Sequence, residues 1–168
     1  MIQSARSNNM STGYSHVGVS THNMESTIQF YEGILGFPKV VENITHINEG
    51  GTLRQVYFDV GDSQYLVFME PKGITGIAAG YDTGINGALG VPGGMYHFAF
   101  RAASLDELAS RRQQLQAHGI EVSTIIDLGH ASSIFFSDPN KLQLEISCQT
   151  RPFNEQDLHQ ESTASIAL

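Results

Sequence analysis

"MYHFAFRAASLDEL", residues 95–108, and "YSHVGVSTHNMEST", residues 14–27, together decide how this chain folds. Each reads as a strand with a histidine near its start, then a short loop, then the beginning of a helix. Strand side chains alternate between two faces, so His97 shares one with Ala99 and Arg101, while Tyr96, Phe98 and Phe100 take the other. Laid on the second stretch, the first aligns His16 with His97, Gly18 with Ala99, Val19 with Phe100, Asn23 with Ser104 and Met24 with Leu105. Both histidine faces therefore carry a small residue two positions on.

The helix starts keep the same register. Asn23 and Ser104 are good N-caps, and Ser104 with Glu107 forms an S-x-x-E capping box. Met24, Ile28, Tyr31 and Leu35 make the apolar stripe of the first helix; Leu105, Leu108 and Leu115 make that of the second. The stripes are expected in the core, with the helices ending near Gly36 and Gly119. Beyond them lie the strand-like runs "LRQVYFDV" and "QYLVFME" in the first half, and "SSIFFSD" and "LQLEIS" in the second. Each half is thus β-α-β-β-β, which predicts an α+β fold of two such modules, residues 13–70 and 95–148, their sheets curved around a shared concavity with the helices outside.

Residues 71–94 hold eight of the chain's 17 glycines and show neither helix nor strand period, so they read as a linker or as a lid over a site. Residues 1–12 are expected to be a disordered polar leader, and residues 149–168 a polar tail, either loose or ordered against another subunit. The 168 residues can bury one core or two small half-domains. A formal net charge of −8 with scattered basic residues gives no electrostatic footprint for nucleic acid or anionic lipid. The absence of a long apolar run excludes a membrane-spanning helix, and Cys148, the one cysteine, excludes an internal disulfide; a cytoplasmic protein is the expectation.

In "KLQLEIS", Leu142, Leu144 and Ile146 face one way, and Lys141, Gln143, Glu145 and Ser147 the other. A mid-strand carboxylate on a buried face is costly unless a cation or hydrogen bonds compensate it; on a wet face it costs little. His16, His97 and Glu145 all lie on strands that open or close the matched halves. If the halves bring them together, two imidazoles and a carboxylate form a facial triad with open positions for substrate, water or oxygen.

The chain resembles the vicinal oxygen chelate superfamily, the glyoxalase, bleomycin-resistance and extradiol dioxygenase group, over about residues 13–148. The stretches that carry the likeness are "HVGVSTHNMESTIQFYEGILGF", "HFAF", "AHGIEV" and "SIFFSDPNKLQLEI". The resemblance implies the glyoxalase/dioxygenase fold, a homodimer, a small-molecule substrate and a divalent metal ion held by His16, His97 and Glu145. It also implies Fe(II) ahead of Mn(II), Zn(II) or Ni(II). Glyoxalases and epimerases of the group add a fourth ligand, whose position here is Val67; Glu70 falls on the opposite strand face and reads as a surface or loop carboxylate. Three ligands suit extradiol ring cleavage or phosphonate-binding fosfomycin resistance, and for the latter the candidate cations are Arg54 and Lys72. Ring-cleaving members keep a tyrosine where this chain has Phe135, and an acid–base histidine that it lacks. His130 is the substitute for proton transfer, and also reads simply as a turn histidine. Isomerase or lyase chemistry, and metal-free drug sequestration, are the alternatives. His22, His46, His118 and His159 are expected on the surface.

Overall fold

The computed structural model describes residue 11, residues 13–159 and residue 161. The first module runs β1 (His16–Ser20), α1 (Met24–Ile28), β2 (Lys39–His46), β3 (Thr52–Gly61) and β4 (Gln64–Lys72). After a short helix, α2 (Ile85–Leu89), the second runs β5 (His97–Arg101), α3 (Leu105–Ala117), β6 (Ile126–Asp127), β7 (Ala131–Ser137) and β8 (Gln143–Gln149). The sheets have matching orders, β1-β4-β3-β2 and β5-β8-β7-β6. In each, the first and last strands of the module pair in parallel and the others antiparallel.

Both helices start where their caps place them: Asn23 Oδ1 accepts from the Ser26 N–H at 3.0 Å and Ser104 Oγ from the Glu107 N–H at 3.1 Å. Gly36 and Gly119 follow with φ of 74° and 75°, left-handed values that favour glycine at a helix end. α1 widens into a π-helical stretch over Gln29–Ile34, where the Leu35 N–H reaches back five residues to the Phe30 carbonyl. That widening buries Phe30, Tyr31 and Leu35 together, while Ile28 is only half-buried.

One core serves both modules. Met24, Phe30 and Tyr31 from α1, Phe58 and Phe68 from sheet one, Leu108 and Leu115 from α3, and Ile134, Leu144 and Ile146 from sheet two form a single buried cluster. Phe37 meets Phe100 with ring centroids 4.9 Å apart. Leu105, expected in this core, is 50% exposed, because the Ser104 N-cap sets it at the first position of α3.

A polar pin crosses the same boundary. The Tyr31 hydroxyl donates to Asp138 Oδ2 in the β7–β8 turn at 3.0 Å, while Asp138 Oδ1 accepts the N–H groups of Asn140 and Leu142. Burial pushes the Asp138 carboxyl above its ordinary range, and burial beside Asp138 pushes the Tyr31 phenol well above its own. Tyr31→Phe removes one donor from a buried carboxylate, so it is expected to cost about 2 kcal/mol. The measurement is a lower denaturant midpoint at unchanged slope.

Three expectations change. The segment 71–94 is not featureless: β4 continues to Lys72, α2 interrupts the glycines, and a 3-10 turn covers Gly93–Met95. Buried Asn86 holds it by donating to the carbonyls of Gly93 and Tyr96 and accepting the Tyr96 N–H. Glu70 is neither surface nor loop; it is 3% exposed in β4, on the face towards α1, where it accepts the Met24 N–H and lies 3.1 Å from the Lys72 ammonium. In the tail, Arg151 forks onto Asp157 with two 2.7 Å bonds and Glu155–Leu158 form a 3-10 turn. That fork, aided by the Asn154 N–H, holds the Asp157 carboxyl far below its usual range. Leader residues 1–10 and 12, and tail residues 160 and 162–168, lie outside the described residues.

Candidate metal centre

On the concave face of sheet two, β5 pairs with β8 so that His97 lies opposite Gln143 and Ala99 opposite Glu145, with Phe135 of β7 on the far side of Glu145. Leu144, Ile146 and Cys148 point the other way into the core. The β8 alternation is therefore as the sequence indicates, and Glu145 is 6% exposed. His97 Nε2 stands 3.1 Å from Glu145 Oε2.

The outer atoms of this pair are held in turn. His97 Nδ1 lies 3.0 Å from the Gly94 carbonyl, an oxygen that can only accept, so Nδ1 carries a proton. Glu145 Oε1 accepts from the Ser133 hydroxyl at 2.6 Å. In the neutral imidazole the Nε2 lone pair then faces a carboxylate oxygen, and a cation is needed between them: a proton on Nε2, or a metal ion. Two donors each about 2.1 Å from one octahedral ion, at a right angle, are about 3.0 Å apart. The observed 3.1 Å fits that geometry and fits equally an N–H···O hydrogen bond through a proton on Nε2. The Gly94 and Ser133 contacts are of the kind that orient metal ligands from behind.

His16 occupies the matched place in sheet one. It lies opposite Tyr65, and two residues on the row runs Gly18, Val67, Tyr57. Its Nδ1 is 3.2 Å from the Ser15 hydroxyl, and its ring centroid is 6.1 Å from that of Tyr57. His16 is exposed and makes no contact with His97 or Glu145; among the described residues, no three of His, Cys, Asp and Glu gather closely enough to hold one ion. One chain thus joins two of the three expected ligands. A cavity of about 370 Å³ opens beside His97, lined by Tyr14, Val17, Tyr65, Leu66, Phe98 and Phe100 among others; Glu145 and His16 do not line it.

Val67 matches Glu145 in the repeat and leaves no carboxylate at the fourth-ligand position. Arg54 is bound to Glu25 and Glu42, and Lys72 faces Glu70, so both candidate phosphonate cations are occupied. His130 precedes β7 with its ring 4.9 Å from that of Phe153. It is five positions from Phe135, roughly 15 Å along the strand from the Glu145 row. The structure does not bring it to the pair. His22, His46, His118 and His159 are exposed, as expected, and His22 Nε2 is 2.7 Å from the Tyr81 carbonyl. Tyr57 is a neighbour of His16 that the sequence reading passed over; alternation within "LRQVYFDV" puts it on one face with Gln55 and Asp59, but only strand pairing ties it to His16.

Paired β-α-β-β-β modules with histidines opening their first strands define the class of protein. The family model described as the glyoxalase/bleomycin resistance protein/dioxygenase superfamily matches residues 13–146, and the chain belongs to that superfamily. Among solved structures it is similar to a lactoylglutathione lyase from Agrobacterium tumefaciens, at 16% identity and TM-score 0.59, over 83% of this chain and 96% of that one. A genomically encoded fosfomycin resistance protein from Listeria monocytogenes matches at 17% identity and TM-score 0.57, over 84% and 96%. An antibiotic-binding protein from Streptomyces sp. CB03234 matches at 17% and 0.58, over 85% and 100%. At these identities the likeness is one of fold. No curated protein matches the sequence. Among the described residues no helix is long and apolar enough to cross a membrane.

Proposed function

We propose that the chain is a divalent-metal enzyme that chelates vicinal oxygens of a small aromatic substrate, of extradiol dioxygenase type, working as a homodimer. The observation that carries this reading is the His97–Glu145 pair, with Nε2 and Oε2 3.1 Å apart and their outer atoms engaged by Gly94 and Ser133. His97 offers Nε2 because Gly94 holds its other nitrogen; Glu145 offers Oε2 because Ser133 holds its other oxygen. His16 of a second copy supplies the third donor. β1 and β5 are each the edge strand of their sheet.

A bound divalent ion, Fe(II) in this reading, would polarise the chelating oxygens and lower the pKa of a substrate hydroxyl. Three protein donors leave room for a bidentate substrate and one further small ligand. Val67 in the fourth-ligand place weighs against the chemistry of the lactoylglutathione lyase relative, and the occupied Arg54 and Lys72 weigh against fosfomycin resistance. The antibiotic-binding relative supplies the contrasting outcome, a cleft without metal.

Protein purified without chelator, then reconstituted anaerobically with Fe(II), tests the proposal. About one ion per site is expected, with oxygen uptake on adding a catechol from a panel. Substrate binding to metal-free protein at full strength would instead support the sequestering role.

A further inference from the structure

His97 opens β5, and its ring is held from behind by the segment that leads into the strand. Nδ1 lies 3.0 Å from the carbonyl of Gly94, three residues back, within the 3-10 turn of Gly93–Met95. Two of that turn's three residues are glycine, with no side chain to pin it, and the Met95 N–H closes it onto the Pro92 carbonyl at 3.0 Å. Asn86 clamps it from α2. Its Nδ2 donates to the carbonyls of Gly93 at 2.9 Å and Tyr96 at 2.7 Å, and its Oδ1 accepts the Tyr96 N–H at 2.9 Å. The side-chain amide thus exchanges both bonds with Tyr96 as a neighbouring strand would, one residue before β5 begins. Between its two anchors lies the Gly94 carbonyl that faces His97.

The clamp is itself seated. Asn86 is 6% exposed, and its own carbonyl accepts the Val91 N–H. Gly84, the N-cap of α2, lies so close to the β7–β8 turn that a Cβ there would stand 2.8 Å from that of Lys141, and the Thr83 hydroxyl donates to the Asn140 carbonyl at 3.2 Å. Glu145 leaves that same turn on β8, so one piece of backbone references both members of the pair.

From these contacts we propose that Asn86 is a positioning residue for His97: by clamping residues 93–96 it fixes the Gly94 carbonyl, which keeps a proton on Nδ1 and turns Nε2 towards Glu145. The inference goes beyond the proposed function and needs no metal ion. The clamp works on the far side of the ring from Glu145, and is the same whether a proton or an ion stands in front of Nε2. Without it, a neutral imidazole beside a carboxylate gains more by placing its one proton on Nε2, where it donates to Glu145.

The test uses the full chain, freed of metal with chelator and carrying isotope-labelled histidine, at about pH 8, where an ordinary imidazole is neutral. Long-range proton–nitrogen correlation reads which ring nitrogen is protonated, and His97→Gln identifies the His97 signals. Wild type should show a protonated Nδ1. In Asn86→Ala, and in Asn86→Asp, which keeps the size but loses both donors, that proton should be lost from Nδ1 while the His16 signals of the other sheet stay in place. Tyr96 amide exchange should quicken about tenfold in both variants, the effect of losing one hydrogen bond. Folded variants that exchange faster at Tyr96 yet keep Nδ1 protonated reduce Asn86 to a structural residue and overturn the proposal. A loss confined to Asn86→Ala also overturns it, because that marks a cavity and not missing donors; so does wild-type protein with a bare Nδ1.

Discussion

Glu145→Ala is expected to lose stoichiometric Mn(II) or Fe(II) altogether, while Glu70→Gln keeps it. Both carboxylates are almost wholly buried in closing strands of their modules, at 6% and 3% exposure. Their surroundings separate them. Glu70 faces α1, where Oε1 accepts the Met24 N–H and Oε2, which takes no hydrogen bond among the described residues, has the Lys72 ammonium 3.1 Å and the Arg54 guanidinium 4.0 Å away. Glu145 faces the concavity with His97 Nε2 at 3.1 Å and the Ser133 hydroxyl behind it, so the contact is favourable only with a proton or a metal ion between the two facing atoms. The consequence extends to stability. An ion that binds only the folded state, at a hundred times its dissociation constant, adds about 2.7 kcal/mol. Saturating Mn(II) should therefore raise the melting temperature of wild type and of Glu70→Gln, and leave that of Glu145→Ala where it was. Metal analysis by atomic emission beside thermal unfolding reads both effects; undiminished metal in Glu145→Ala refutes the assignment.

How much of this was legible from sequence depends on how local each signal is. The strands opening the modules, the caps at Asn23 and Ser104, the left-handed Gly36 and Gly119 and the faces of β8 all follow from near neighbours, and the structure has them as read. The π-helical stretch after α1 does not, because it is set by fitting Phe30 and Tyr31 against Phe136 and Phe58, residues far along the chain. α2 was hidden by glycine, which lowers helix propensity; buried Asn86, not propensity, holds that segment. Glu70 was misjudged because its partners come from another strand and a helix terminus. Tyr57 shows the limit most plainly. The offset that aligns His16 with His97 is 81 residues, but Tyr57 and Phe135 are 78 apart, so a fixed offset misses the match and only the pairing through Val67 and Glu145 reveals it.

Mixing two dead variants gives the second large effect. His16→Ala and Glu145→Ala proteins are each expected to hold no metal, since each lacks a donor from every site. If His16 of one copy completes the site of the other, a mixed dimer contains one site damaged twice and one site intact. After random exchange of subunits half the dimers are mixed, so about a quarter of all sites should recover metal, and oxygen uptake in the same proportion. A site closed within one chain recovers nothing on mixing, because neither variant then contains an intact set. The expectation of recovery rests on the separation seen here: His97 and Glu145 meet within the chain, His16 stands exposed with its ring against Tyr57, and no third donor joins the pair among the described residues. Subunit exchange under mild denaturant, followed by gel filtration and metal analysis, measures it. Dimers that exchange fully and recover no metal would place all three donors on one chain.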